Sequence, residues 1–313
     1  MKFASILAGS SVLFTQAAFA GRLALPEVDV PATVVQPAPL GGSAWIASAI
    51  DLADVEAAIA ANDIDPDPSI SITGDASETG DFYSTENFDR LYVGRTGIGS
   101  MSVIDSTVNV TEEFGLATIK GSSGTLTLNG GTLNVQGAAP MLVGAPSFID
   151  GFPDIDDGGS GNVSIRNNSQ ISAPSIELGN FLSLDHSSQF LVTSNSSLLT
   201  NGDFSNLGRG TMTIDDSSSW ISSDTNGINI EFESELRVER DSTVEVDASI
   251  FSYGKISIDI TSTKQNGIIE TGKTADGSMP TFSNAGTVTF SVSPDTPAGT
   301  YTPIIANGGI SDL

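Results

Sequence analysis

The sequence predicts an all-β protein, a single-stranded parallel β-helix (solenoid) with a short N-terminal capping helix, and three observations carry that prediction. A unit of short apolar-x-apolar strands separated by small polar turns recurs from residue 81 onward. Only 16% of residues are charged against 39% apolar, with 33 glycines and much of the remainder Ser, Thr and Asn, a composition that suits strands joined by tight turns rather than helices. There is no cysteine, so stability must come from a backbone ladder and a packed core. Thiolate zinc sites and cysteine nucleophiles are excluded as well.

The repeat is clearest at residues 91–108. Leu91 and Val93 form a leading apolar pair closed by Gly94, and a Gly97-Ile-Gly99 turn follows. Met101 and Val103 form a second pair, and after Asp105-Ser-Thr a third strand opens at Val108. The second and third strands return as Leu126/Leu128 with Leu133, Val163/Ile165 with Ile171, and Leu182/Leu184 with Phe190. They return again as Met212/Ile214 with Trp220 and Leu236/Val238 with Val244. Leading strands recur at Ile176/Leu178, Leu207 and Ile228/Ile230. Period-two alternation turns one side of each strand inward, and stacking three-strand coils satisfies the backbone while burying a continuous apolar column. Second-strand anchors at Met101, Leu126, Val163, Leu182, Met212, Leu236 and Ile256 lie 19 to 37 residues apart. The short gaps fit one coil and the long ones a coil plus a loop. About eight to ten coils are expected, a rod roughly 40–50 Å long at a strand spacing of ~4.8 Å.

This pattern resembles the degenerate repeats of bacterial autotransporter passenger regions and of exported proteins with a Pro-Glu-Pro C-terminal sorting signal. Residues 91–108 carry the resemblance most fully and about 120–260 more weakly. The stretch from Gly286 to Phe290 and from Gly299 to Ile310 looks like the segment that often ends such regions. The resemblance implies a right-handed β-helix displayed outside the cell. Neither an outer-membrane barrel nor a Pro-Glu-Pro motif with an apolar helix follows Leu313, so the sequence reads either as a fragment or as a released protein.

The rest of the chain organises around the repeat. Residues 1–20 read as a secretory signal peptide: Lys2 is the positive start, Phe3 to Phe14 are mostly apolar, and Ala18-Phe-Ala20 is a small-x-small cleavage pattern. Cleavage is expected after Ala20, placing the mature chain outside the cell or on its surface. Residues 21–80 form a Pro-rich leader plus a short helix, capped by Asp51 with Leu52, Val55 and Ile59 on one face. The β-helix domain is assigned to 81–290, and 291–313 to a C-terminal strand segment.

Loss of Lys2 takes the formal charge from −26 to −27. Nucleic-acid binding, which needs cations against phosphate, is excluded, and no membrane insertion is expected in these residues. The densest acidic cluster holds Asp154, Asp156 and Asp157 among glycines, the oxygen-rich turn chemistry that Ca²⁺ requires. These three are the candidate metal ligands. It sits in the longest gap between anchors, so it reads as a protruding loop, and a solvated loop without metal is the competing reading.

No catalytic residue and no cofactor besides that calcium is assigned. His186, the single histidine, falls in a turn position, and no nucleophile elbow or phosphate loop is present. The expected function is a non-catalytic, exported surface or extracellular structural and adhesion-type protein. Its partners are cell-surface or matrix components, glycan or protein. The alternative is a polysaccharide lyase or glycoside hydrolase, with Asp215-Asp216 or Asp156-Asp157 as carboxylate pair. Trp220 lies in a strand register that favours core packing over a sugar-binding platform.

Overall fold

The repeating strands stack into three parallel ladders that share one core. The computed structural model describes residues 43–46, 69–72, 78–83, 85–95, 97–146, 158–179, 187–261, 267–272, 279–294, 296–298 and 300–312. Among them are 25 strands and no helix, joined in a single sheet. The signal peptide, residues 21–42 of the Pro-rich leader and the capping helix lie outside the described residues, whereas Ser43–Ile46 and Ser69–Ile72, assigned to the leader segment, are strands of the stack.

The leading ladder starts with Ser43–Ile46 and Ser69–Ile72 and ends with Phe282–Asn284 and Ile310–Asp312. The second runs from Glu78–Phe82 through Ile98–Ile104, Ser123–Asn129, Ser160–Arg166 and Ser188–Val192 to Lys255–Ile260 and Thr287–Val292. The third runs from 86–88 through Thr132–Val135, Gln170–Ala173, Ser197–Thr200, Ser219–Ser222, Thr243–Val246 and Ile268–Thr271 to Ile304–Ala306. Each strand pairs in parallel with the strand one coil earlier and one coil later, giving nine full three-strand coils among the described residues. This is the arrangement of a β-helix or solenoid. At ~4.8 Å per coil the stack is roughly 40 Å long.

Some strands round a corner without a break. Glu86–Val93 and Thr107–Leu116 pass from third to leading ladder, and Ser205–Ile214 and Ile228–Val238 from leading to second. A register shift at the bend, between Phe88 and Arg90 or Leu207 and Arg209, absorbs the change of direction. Alternation then buries every second residue. Leu91, Val93, Met101, Val103 and Val108 belong to one buried column with Leu126, Ile165, Leu198, Trp220, Ile230 and Ile256.

Two corners are built from left-handed residues. Gly94, Ala117, Gly144 and Gly179 each end a leading strand with φ between 54° and 68°. Between the second and third ladders, Asn167-Asn168, Ser194-Asn195, Asp216-Ser217 and Arg240-Asp241 all have positive φ, the conformation that Asn and Asp tolerate best. The residue that follows faces inward. Ser169, Ser196, Ser218 and Ser242 are buried, and each hydroxyl accepts a backbone N–H from the preceding coil: Gly131, Ser169, Ser196 and Ser218 in turn, at 3.1–3.3 Å.

One register expectation is corrected. Phe190 is not a third-strand residue following Leu182/Leu184; it lies in the second ladder, paired with Val163 on one side and Met212 on the other. Its coil's third strand is Ser197–Thr200. The same alternation occurs at Leu182-x-Leu184 and Phe190-x-Val192, so period alone could not choose between them. The ladders also extend past the assigned 81–290 window at both ends.

Candidate functional site

The outer wall of the rod is mostly polar, and several of its side chains bond to one another from coil to coil. Asn87, Asn109 and Asn134 stack in register on the third ladder, each amide donating to the previous side-chain carbonyl at 2.9 Å. Asn229 repeats the contact with Asn206 at 3.1 Å. Parallel in-register stacking places identical side chains one strand spacing apart, the arrangement in which carboxamides chain together.

Charged groups follow the same rule. Glu235 accepts from Arg237 at 2.8 Å, from Lys255 at 2.9 Å and from Ser257 at 2.7 Å. Burial pushes this carboxyl up, but those three donors outweigh it and hold it at about 2. Arg209 pairs with Glu233 at 2.9 Å and Arg90 with Glu112 at 2.9 Å. Asp215 receives both Nε and Nη2 of Arg240, and its neighbour Asp216 accepts from Ser194. Asp215 and Asp216 therefore do not form a free pair across a groove.

Two acids stand out that sequence reasoning passed over. Glu177 lies on the outer side of the leading ladder, between Leu142 and Asn206, and burial raises its carboxyl to about 7. Asp224 is completely buried at a coil corner, where burial raises its pKa against the hydrogen bonds it accepts. Its oxygens take the Gly202 N–H at 3.0 Å and the Ser205 hydroxyl at 2.5 Å, while Ser205 Oγ accepts Ile176 N–H at 3.2 Å. This chain ties three successive coils together. In the sequence Asp224 heads Asp-Thr-Asn-Gly, which reads as an ordinary exposed turn; only the stacking shows that the turn folds inward.

The candidate calcium ligands Asp154, Asp156 and Asp157 lie outside the described residues, as do Asp185 and His186. The stems of the acidic loop are placed. Met141–Val143 lies in the leading ladder and Ser160–Arg166 in the second, so both stems stand at the corner between those ladders. Gly144 N–H donates to Leu116 O at 2.7 Å, and Gly159 N–H to Ala117 O at 2.8 Å, fixing both stems. One coil later Ile176–Leu178 of the leading ladder and Ser188–Val192 of the second flank the same corner, with 180–186 outside the described residues. Among the described residues, no group of three or more His, Asp or Glu side chains is arranged to share a metal ion, and no helix is long and apolar enough to cross a membrane.

Trp220 is fully buried between Leu198 and Val244, with Nε1 donating to Thr200 Oγ1 at 3.2 Å. It is a core residue, as its register predicts. The fold and wall together define an all-β, coil-stacked protein. No family model, curated protein or solved structure matches the chain.

Proposed function

We propose that this is an exported, non-catalytic structural or adhesion-type protein, a right-handed parallel β-helix that holds loops away from the cell. One observation carries the reading. Polar groups of the wall bond along the stack, as in Asn87–Asn109–Asn134 and Glu235 with Arg237 and Lys255, and the stems of the longest insertion stand at a coil corner. A rigid, self-satisfied wall with loops at its corners is suited to display. The right hand follows the strong preference of parallel strand connections.

Export rests on the signal-peptide pattern ending at Ala20, and the exposed setting on the resemblance to autotransporter passengers and Pro-Glu-Pro-sorted proteins. The partners are cell-surface or matrix components, glycan or protein. Calcium held by Asp154, Asp156 and Asp157 would order the loop from the 144–158 corner, as carboxylates on a glycine-rich turn do.

A panel of glycans and polysaccharides, run with and without Ca²⁺ and scored for binding and for released product, tests the proposal. Binding without turnover supports it, and silence directs the search to protein partners. Released oligosaccharide overturns it in favour of a polysaccharide-active enzyme.

A further inference from the structure

One corner in the middle of the stack carries an aromatic side chain that the core does not use. Between Ser205–Ile214 and Ile228–Val238 the register shifts, so that Leu207 pairs with Ile230 but Arg209 with Glu233. The later strand holds one residue more at this bend, and Phe232 sits in the enlarged stretch. A bulge re-aims a side chain. Here the phenyl ring of Phe232 is left 74% exposed.

The next coil brings two more rings to the same place. Tyr253 follows the strand Ile250–Ser252 and lies against Phe232, with ring centres 5.4 Å apart and planes tilted by 42°. Phe251 pairs in register with Asn229 and is half-buried on the outer side of its strand, between the buried Ile250 and Ser252.

Polar groups of fixed orientation border these rings. The amide of Asn229 donates to Asn206 Oδ1 at 3.1 Å and to Glu231 Oε1 at 2.5 Å. Glu231 Oε2 has no partner among the described residues. The other charges nearby are already matched: Glu233 with Arg209, and Glu235 with Arg237 and Lys255.

This chemistry selects a ligand class. Rings beside a few well-placed polar groups are how binding sites orient small molecules, and here they suit one that is apolar on its faces and hydroxylated at its rim. A β-linked pyranose with equatorial hydroxyls is such a molecule, because its ring faces carry only C–H bonds. Charge argues for a neutral sugar, since the chain carries −26 and repels polyanions. Area argues against a protein. A stable protein interface covers about 800 Å² per partner, and three partly exposed rings at about 150–250 Å² each when whole supply only part of that.

We propose that Phe232, Phe251 and Tyr253, with Asn229 and Glu231, form a binding site for a neutral β-linked glycan. The proposal rests on the display reading above and gives its partner a chemical class. The sugar face stacks on the ring pair, and Glu231 accepts from its hydroxyls.

Calorimetric titration of the full chain with cellohexaose and with chitohexaose tests this. At least one is expected to bind with a Kd on the order of 0.1–1 mM. Phe232→Ala and Tyr253→Ala should each weaken that binding at least tenfold, with the far-ultraviolet circular dichroism unchanged. Tyr83→Ala, which removes a ring that is 66% exposed elsewhere on the rod, should leave it as it is. Should a ring variant fail to fold, Glu231→Gln decides, with a loss of severalfold expected. Binding that survives all of these substitutions overturns the site and leaves the display reading standing. No binding of either hexaose at about 5 mM also overturns it and directs the patch to a protein partner. Release of shorter sugars, with binding lost in Phe232→Ala, supports the site and overturns the display reading instead.

Discussion

The backbone N–H of Ser196 donates to the hydroxyl of Ser218 at 3.1 Å, across a coil boundary and inside the wall. Ser218 N–H in turn donates to Ser242 Oγ at 3.3 Å. Two left-handed residues at each of these corners turn the backbone out of the ladder, and the serine below takes up the amide that the turn would strand.

Ser218→Ala should therefore cost about 1–3 kcal/mol, the penalty of leaving a buried amide without an acceptor. Ser223→Ala, whose hydroxyl donates to Asp247 on the exposed surface, should stay within about 0.5 kcal/mol. Urea denaturation of both variants measures the contrast. Equal losses would show that the buried serine column does not carry the corner.

The leading-strand corner makes a paired test with opposite signs. Ala117 has φ 54° where stacked coils place Gly94, Gly144 and Gly179. Left-handed backbone costs an alanine roughly 1–2 kcal/mol, only partly offset by the chain entropy a glycine loses, so Ala117→Gly should be neutral or stabilising by up to about 1 kcal/mol. Gly144→Ala should destabilise by more than that strain alone, because the added carbon would fall 2.0 Å from Ser188 Oγ and 2.9 Å from Gly159 O. Thermal melts of the two variants check it.

Glu177 sets a pH dependence. The unfolded chain releases this proton near 4.5, whereas burial in the fold holds it to about 7. Stability from this group is thus highest below 4.5, falls as pH rises through that window, and is level above it. Glu177→Gln should stabilise the protein at pH 8 by up to about 3 kcal/mol and change little at pH 4. A gain that is the same at both pH values would refute the assignment.

Glu235 acts with the opposite sign. Its folded-state carboxyl titrates at about 2 against an ordinary 4.5, so its contribution is complete above 4.5 and disappears as pH falls toward 2. The stability gap between the parent and Glu235→Gln should close across that interval. Denaturant curves collected from pH 2 to 7 record it.

The acidic loop has its own readout. If Asp154, Asp156 and Asp157 hold calcium, millimolar Ca²⁺ should raise the melting temperature of the parent. Replacing all three by Asn should abolish that shift. No shift in the parent would end the calcium reading.

Much of this architecture was legible in the sequence because alternation and turn chemistry are local. The apolar pair at Met101/Val103, the turn at Asp105-Ser106 and the pair at Val108/Val110 each express a constraint within a few residues. Hence the three-strand coil and the buried register of Trp220 could both be anticipated. The location of Phe190 could not be, because Leu182-x-Leu184 and Phe190-x-Val192 satisfy the same local rule. Only pairing with Val163 and Met212 tells them apart.

The inward serines and Asp224 escaped for a related reason. Ser, Asp and Asn in a turn read as solvated, and whether a hydroxyl faces water or an amide one coil away depends on stacking. The exposure of Phe290 and Val292 was likewise invisible, since they carry the same pattern as every buried pair before them. By itself the sequence determined the strand grammar, the acidic charge and the absence of thiol chemistry, because these are set residue by residue. Tertiary stacking alone decided register, the pKa of Glu177 and Glu235, and which apolar residues remain uncovered, because each depends on the neighbour one coil away.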